Sequence, residues 1–232
     1  MRDPALLLAI DTCGPSGSVA LGRFAGGLTG GPVEILGQKE LAGRSYSATV
    51  VAAVGELLGD AGAKLMGLDA IVVVNGPGSF TGVRVGLSAA KGLAEGASIP
   101  VLSVSRLEVL AFKAKAACAA LDAHRGEVFL RVAGEGRESI EMLAGAHELA
   151  QVEAPAGRIA VCDDGAAALL GSGWPGSELI TAGAPSAADA LQLAAPRAAA
   201  GQFADLALLD GHYLRRSDAE IFGEPAGRHN CA

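Results

Sequence analysis

The sequence predicts an α/β protein made of two halves, and three observations carry that reading. Short aliphatic runs rich in β-branched residues alternate with segments of helical period. A glycine-rich loop, Asn75-Gly76-Pro77-Gly78-Ser79-Phe80-Thr81-Gly82-Val83-Arg84, separates one such run from a small-residue helix. The opening pattern then returns in mid-chain: Ala120-Leu121-Asp122 followed by Gly126-Glu127-Val128-Phe129-Leu130 echoes Ala9-Ile10-Asp11 followed by Gly17-Ser18-Val19-Ala20-Leu21. Such an echo is what a duplicated β-hairpin start would leave.

Residues 6–11 form an aliphatic run that stops at a carboxylate, and a Thr/Gly/Pro/Ser turn leads into a second run over 18–23, which together read as a hairpin. Residues 33–41 alternate as a third strand. A helix is expected over 47–58, with Val50, Val51, Val54, Leu57 and Leu58 on its apolar face, Ser45 or Ser47 as cap, and an end near Gly59 or Gly62. Residues 70–74 are a solid β-branched strand, the glycine loop follows, and a helix runs to about residue 97. A strand over 100–104 and a helix over 106–116 complete the order β-β-β-α-β-α-β-α. In the second half, 158–162 reads as a strand ending at Asp163-Asp164-Gly165, and 186–200 as an alanine-rich helix. The expected division is an N-terminal lobe over 1–105, a C-terminal lobe over 106–222 and a loose tail over 223–232.

The chain has 232 residues, 50% of them hydrophobic and 19% charged, with 33 glycines and few aromatics, so a core of small and aliphatic side chains is expected. Its formal net charge of −7 has the wrong sign for holding nucleic acid by counterion release. No apolar run approaches the ~20 residues that cross a bilayer, and the N-terminus lacks a signal-peptide pattern, so a soluble cytoplasmic protein is expected. Cys13, Cys118, Cys162 and Cys231 are too scattered for a zinc clamp or a disulfide framework, and read as free thiols.

The glycine loop is the strongest local signal for chemistry. Its amides, a helix start and Arg84 could receive a phosphate or carboxylate through Gly76, Gly78, Ser79, Thr81 and Arg84; equally, the glycines could serve a tight strand-to-helix crossover. Asp11 and Asp122, each at a strand end, could hold a cation or nucleotide phosphate between the halves, or could cap their own turns. His124, His147, His212 and His229 lack metal-site spacing, Ser79 is not in a nucleophile elbow, and no self-contained active site is evident. The two early helices offer a surface instead. Ala48, Ala52, Gly55 and Gly59 form a flat flank on the first, while Arg84, Ser88, Lys91 and Glu95 share a face of the second, opposite Gly86, Ala89 and Leu93. Internal packing and a partner interface both remain open for these rows.

Taken together, Ala9-Ile10-Asp11-Thr12, Gly43-Arg44-Ser45-Tyr46-Ser47, the run from Asn75 to Leu87, Lys91-Gly92-Leu93, Leu121-Asp122-Ala123 and Tyr213-Leu214-Arg215 resemble the TsaB (YeaZ) family over nearly the whole chain, with 135–183 the divergent stretch. The resemblance implies an actin-like (ASKHA) fold of two ribonuclease-H-like lobes. It also implies a part in making threonylcarbamoyladenosine next to the anticodon of tRNA. In that family the chain is a scaffold without catalytic residues, metal or cofactor of its own. It pairs with a TsaD-like transferase and is joined by a TsaE-like ATPase, so tRNA is expected to be met only through the complex; for this chain, a second copy is the alternative partner of the two early helices when the transferase is absent. Tyr46 stands where the family usually has a histidine, so Tyr46 and Val50 occupy the spacing of the two metal histidines of TsaD-like proteins, which does not favour a glycoprotease-like activity. The partner-binding residues expected are Tyr46, Ala48, Ala52, Gly55, Gly59, Arg84, Ser88 and Lys91. The competing expectation is an ATP-dependent phosphotransferase of the actin-like, sugar-kinase group using Asp11 and Asp122.

Overall fold

The computed structural model describes residues 2–25, 31–42, 45–133 and 139–215. The first sheet has the order β3-β2-β1-β4-β5, from β1 (Ala5–Asp11), β2 (Ser16–Phe24), β3 (Glu34–Ala42), β4 (Ala70–Val74) and β5 (Val101–Val104). β1, β2 and β3 pair antiparallel, whereas β4 and β5 run parallel to β1. The central strands bury both faces, which is why β1 and β4 are continuous apolar runs rather than alternating ones.

The second sheet repeats the plan: order β10-β9-β6-β7-β8, with β6 (Cys118–His124), β7 (Glu127–Val132) and β8 (Ile140–Gly145) antiparallel, and β9 (Ile159–Val161) and β10 (Leu179–Thr181) parallel to β6. The echo between the two hairpins is therefore a repeat of topology. The helices repeat less evenly. α1 (Tyr46–Asp60) and α2 (Phe80–Ala97) cover one face of the first sheet, while their counterparts α4 (Ala146–Leu149) and α5 (Asp164–Gly173) are shorter. α4, α5, β8 and β10 were not expected from the sequence, for they lie in the divergent stretch and are mostly too short to show a period.

Two helices cross between the lobes. α3 (Arg106–Ala114) follows β5 but packs on β6, β7 and β9; α6 (Ala187–Ala199) follows β10 but packs on β1, β2 and β4 of the first sheet. By chain order α6 lies beyond the expected division at 105/106, yet it packs on the first sheet. Ala187, Ala190, Leu191, Ala194, Ala195 and Ala198 of α6 belong to the first lobe's core, as does Leu209. Ala187 N donates to Ser18 Oγ (2.9 Å), and the Gln192 amide makes two 2.8 Å hydrogen bonds to the Val33 backbone. The apolar stripe of α6 follows the larger sheet rather than chain order. The 223–232 tail lies outside the described residues. Among the described residues, no helix is long and apolar enough to cross a membrane.

Candidate functional site

The end of β1 and the glycine loop are built against each other. Asp11 is the last residue of β1 and only 1% exposed; its Oδ1 accepts from Cys13 N at 2.9 Å. Thr12 Oγ1 donates to the Gly82 carbonyl at 2.7 Å, and Ser79 N donates to the Cys13 carbonyl at 2.8 Å. Ser79 caps α2, its Oγ accepting from Gly82 N at 3.2 Å. A Cβ at Gly78, Gly82 or Gly86 would stand closer than 3.0 Å to Cys13 O, Thr12 O or Thr12 Oγ1. Three glycines at i, i+4 and i+8 therefore let α2 lie directly on the β1–β2 turn. Gly76, at φ +112°, precedes a cis peptide to Pro77, and its carbonyl accepts from Arg106 N at 2.6 Å. The close crossover requires glycine at Gly78, Gly82 and Gly86.

Asp11 and Asp122 do not share a set of partners. The second oxygen of Asp11 faces Arg106 Nε at 3.9 Å, and neither atom has a hydrogen-bond partner. This buried pair is held by charge without a hydrogen bond. Burial pushes the Asp11 carboxyl up, against the opposing pull of Arg106. Asp122 serves its own turn: it accepts from His124 N at 2.7 Å, lies 3.1 Å from His124 Nδ1, and packs on Gly165. Asp163 caps α5 by accepting from Ala166 N (2.7 Å) and also accepts from Asp122 N (3.0 Å). The turn-capping alternative describes Asp122 and Asp163.

The thiols near this region are protonated at neutral pH. Burial pushes Cys13 well above the usual thiol range, and Cys162 up to about 11. Tyr46, expected among the partner contacts, is 4% exposed and points inward. Its ring fills the space over Gly17, its hydroxyl donates to the Gly14 carbonyl at 2.8 Å, and burial pushes it up to about 12. Val50 is buried beside it in α1. Among the described residues no group of three or more His, Cys, Asp or Glu is placed to hold a metal.

The outer faces of α1 and α2 are open. Ala48, Ala52, Gly55 and Gly59 are all exposed, and a Cβ on either glycine would meet nothing within 4 Å. Val51, expected on the buried face, is 55% exposed in the same row, because the sheet lies under Tyr46, Val50, Ala53, Val54, Leu57 and Leu58. α2 packs beside α1 and exposes Arg84, Ser88, Gly92, Glu95 and Gly96, with Lys91 half-buried and Thr81 exposed at its start. On α2 a groove of about 490 Å³ runs between Phe80, Arg84, Ser88 and Lys91 on the helix and Leu209, Tyr213 and Arg215 on the C-terminal segment. The Arg84 guanidinium carbon lies 3.9 Å from the Phe80 ring centroid, and the Phe80 and Tyr213 rings are 4.9 Å apart. Arg215 is held by the Ala123 carbonyl (2.8 Å) and by Glu127. Periodicity gives no sign of this groove, since residues 209–215 arrive from the far end of the chain, nor of Arg106, whose side chain reaches back to Asp11 and Gly14.

Two sheets of order 3-2-1-4-5, each packed by a helix from the other half, define an actin-like protein of two ribonuclease-H-like lobes. The sequence profile of the TsaD family, tRNA N6-adenosine threonylcarbamoyltransferase, matches residues 35–154, just over half of the chain. The tRNA threonylcarbamoyladenosine biosynthesis protein TsaB of Haemophilus influenzae is 39% identical over 129 residues, which is 53% of this chain and 51% of that protein. TsaB of Escherichia coli is 36% identical over 129 residues, 53% and 52% of the two chains. The chain thus spans about half the length of the curated relatives it matches. Two structures from Pseudomonas aeruginosa, an uncharacterized protein with similarity to peptidase YEAZ and YeaZ itself, superpose with TM-scores of 0.74 and 0.70 at 29% and 28% identity. They cover 91% and 90% of this chain and 100% of each neighbour. The chain belongs to the TsaB (YeaZ) family.

Proposed function

We propose that this chain is a non-catalytic, partner-binding subunit in the synthesis of threonylcarbamoyladenosine on tRNA. It pairs with a TsaD-like transferase through the outer faces of α1 and α2, with a TsaE-like ATPase joining the complex and tRNA bound through those partners. A second copy of this chain takes the same surface when the transferase is absent. The names of its relatives support the pathway. The surface is supported by one observation, the glycines of α1 and α2. Gly55 and Gly92 lie in exposed helix interiors, and Gly59 and Gly96 in the last turns, with open space where each Cβ would be. Glycine in an exposed helix interior costs about 1 kcal/mol relative to alanine. Among the described residues nothing needs these four positions to be small, whereas a helix approaching from outside does.

Light-scattering size exclusion of the chain with and without the TsaD-like protein of the same organism tests the pairing, and threonylcarbamoyl transfer to unmodified tRNA tests the function. Complex formation with transfer, each lost in Ala52→Trp while its isolated fold is retained, is the expected result. A folded Ala52→Trp variant that pairs normally would remove α1 from the interface. ATP turnover by the chain alone, reduced in Asp122→Ala, would replace the scaffold reading with the phosphotransferase one.

A further inference from the structure

The groove on α2 has a chemistry that the glycine flank lacks. Arg84 and Lys91 lie two helical turns apart, about 10 Å along the axis, with Ser88 between them. Stacking on Phe80 holds the Arg84 guanidinium in place and leaves its N–H edge without a carboxylate among the described residues. Lys91 likewise has no ion pair there. Lys39, Lys113, Arg131, Arg197 and Arg215 each hold a carboxylate, whereas Lys64, Lys115 and Arg158, like Arg84 and Lys91, have no ion pair among the described residues; what sets Arg84 and Lys91 apart is that they line one groove. The one acidic side chain lining the groove, Asp210, accepts from Gly211 N at 2.7 Å. Ser88 lies between the two cations, and Phe80, Leu87 and Leu209 supply the apolar part of the lining.

We infer that this groove receives a short acidic segment of the partner protein, with two carboxylates about 10 Å apart meeting Arg84 and Lys91. Charge decides between protein and RNA. A long polyanion feels the field of a chain carrying −7, whereas two carboxylates within a Debye length of about 8 Å answer chiefly to the two cations they touch. The inference rests on the scaffold reading and specifies the partner chemistry at its edge.

The test is the affinity of the full chain for the TsaD-like protein at low and physiological salt, comparing wild type, Arg84→Glu/Lys91→Glu, Lys91→Arg and Ala52→Trp. In parallel, binding of unmodified tRNA to the chain alone is measured. The double reversal is expected to weaken pairing by about tenfold or more and to flatten its salt dependence, with thermal unfolding unchanged and Lys91→Arg close to wild type. Loss of pairing in Ala52→Trp with none in the double reversal overturns the groove assignment and leaves the scaffold reading standing. No effect of either variant overturns both. Loss of tRNA binding alone in the double reversal makes the groove an RNA site and overturns the inference. So does a reversal effect that vanishes in a chain ending at residue 215, which would make residues 216–232 the occupant.

Discussion

Gly82→Ala and Gly92→Ala place the same methyl group on the same helix and should change stability in opposite directions. Alanine favours an exposed helix interior over glycine by up to about 1 kcal/mol, and at Gly92 the added Cβ meets nothing within 4 Å. At Gly82 it would stand against the Thr12 carbonyl oxygen, closer than real Cβ atoms come. That oxygen is backbone and has little freedom: Thr12 Oγ1 bonds Gly82 O at 2.7 Å and Cys13 O bonds Ser79 N at 2.8 Å. Lifting the first turn of α2 would stretch both bonds, at about 1 kcal/mol each, in addition to about 1–3 kcal/mol for overpacking. The expected net loss is ~2–4 kcal/mol at Gly82, against a gain of ~0.5–1 kcal/mol at Gly92. For a chain of this size, ~2–4 °C per kcal/mol converts these to a fall of roughly 5–15 °C and a rise of roughly 1–4 °C in melting temperature. Circular-dichroism melting and urea titration of the isolated chain measure both. A Gly82→Ala variant as stable as wild type would refute the close approach of α2 to the β1–β2 turn.

Tyr46→Phe removes the bond to the Gly14 carbonyl and leaves that acceptor buried, so it should cost about 1–2 kcal/mol in urea titration without changing partner affinity. Asp11 and Glu141 should respond to pH with opposite signs. The folded-state pKa of Asp11 is raised by burial, so its contribution favours folding below the unfolded carboxylate pKa and is lost as pH rises through the folded value. At Glu141 burial is outweighed by hydrogen bonds from His212, Ser105 and Arg131, which lower the folded-state pKa. Its contribution is present above the unfolded pKa and lost as pH falls through the folded value. As pH falls from about 7 to about 3, the stability gap between wild type and Asp11→Asn should move in the wild type's favour, while the gap to Glu141→Gln should hold down to the unfolded carboxylate range and close below it. Urea titrations across that range check both, and parallel slopes would contradict the two assignments.

The parts of the fold legible in the sequence were those fixed by local rules. β1 and β4 show as unbroken apolar runs because both their faces are buried, and the loop before α2 shows because a close crossover needs glycine. The repeat of topology was visible in one hairpin pair. What escaped depends on contacts between distant segments. Val50 and Val51 are equivalent by composition, and only the position of the sheet beneath α1 decides that Val51 faces outward. α6 has the apolar stripe of a core helix, but the stripe does not say which of two sheets it covers. Arg106 is the first residue of a helix, where a charge is ordinarily solvated, yet it is 6% exposed because its side chain turns in against Asp11 and Gly14, far away in sequence. Tyr46 carries the same lesson for the site: a polar aromatic beside a small-residue flank reads as a contact residue, yet Gly17 leaves it a place inside.

The unequal elaboration of the two lobes ties stability to pairing. In the first lobe the outer layer has helices of 15 and 18 residues; in the second, the matching helices have 4 and 10. The buried sides of α1 and α2 cover the first sheet, so the glycines on their far sides lower helix stability with no return among the described residues. If an approaching helix is what requires them, Gly55→Ala and Gly92→Ala should each raise the melting temperature of the isolated chain by roughly 1–4 °C and yet weaken pairing with the TsaD-like protein. A single methyl that holds two helices apart should cost about 1–3 kcal/mol of association, or roughly fivefold to a hundredfold in affinity. The isolated chain melted alone and titrated against its partner supplies both numbers from the same variants. Stabilisation without loss of affinity at both positions would mean that no partner backbone comes close there, and the exposed faces of α1 and α2 would lose their claim to be the interface.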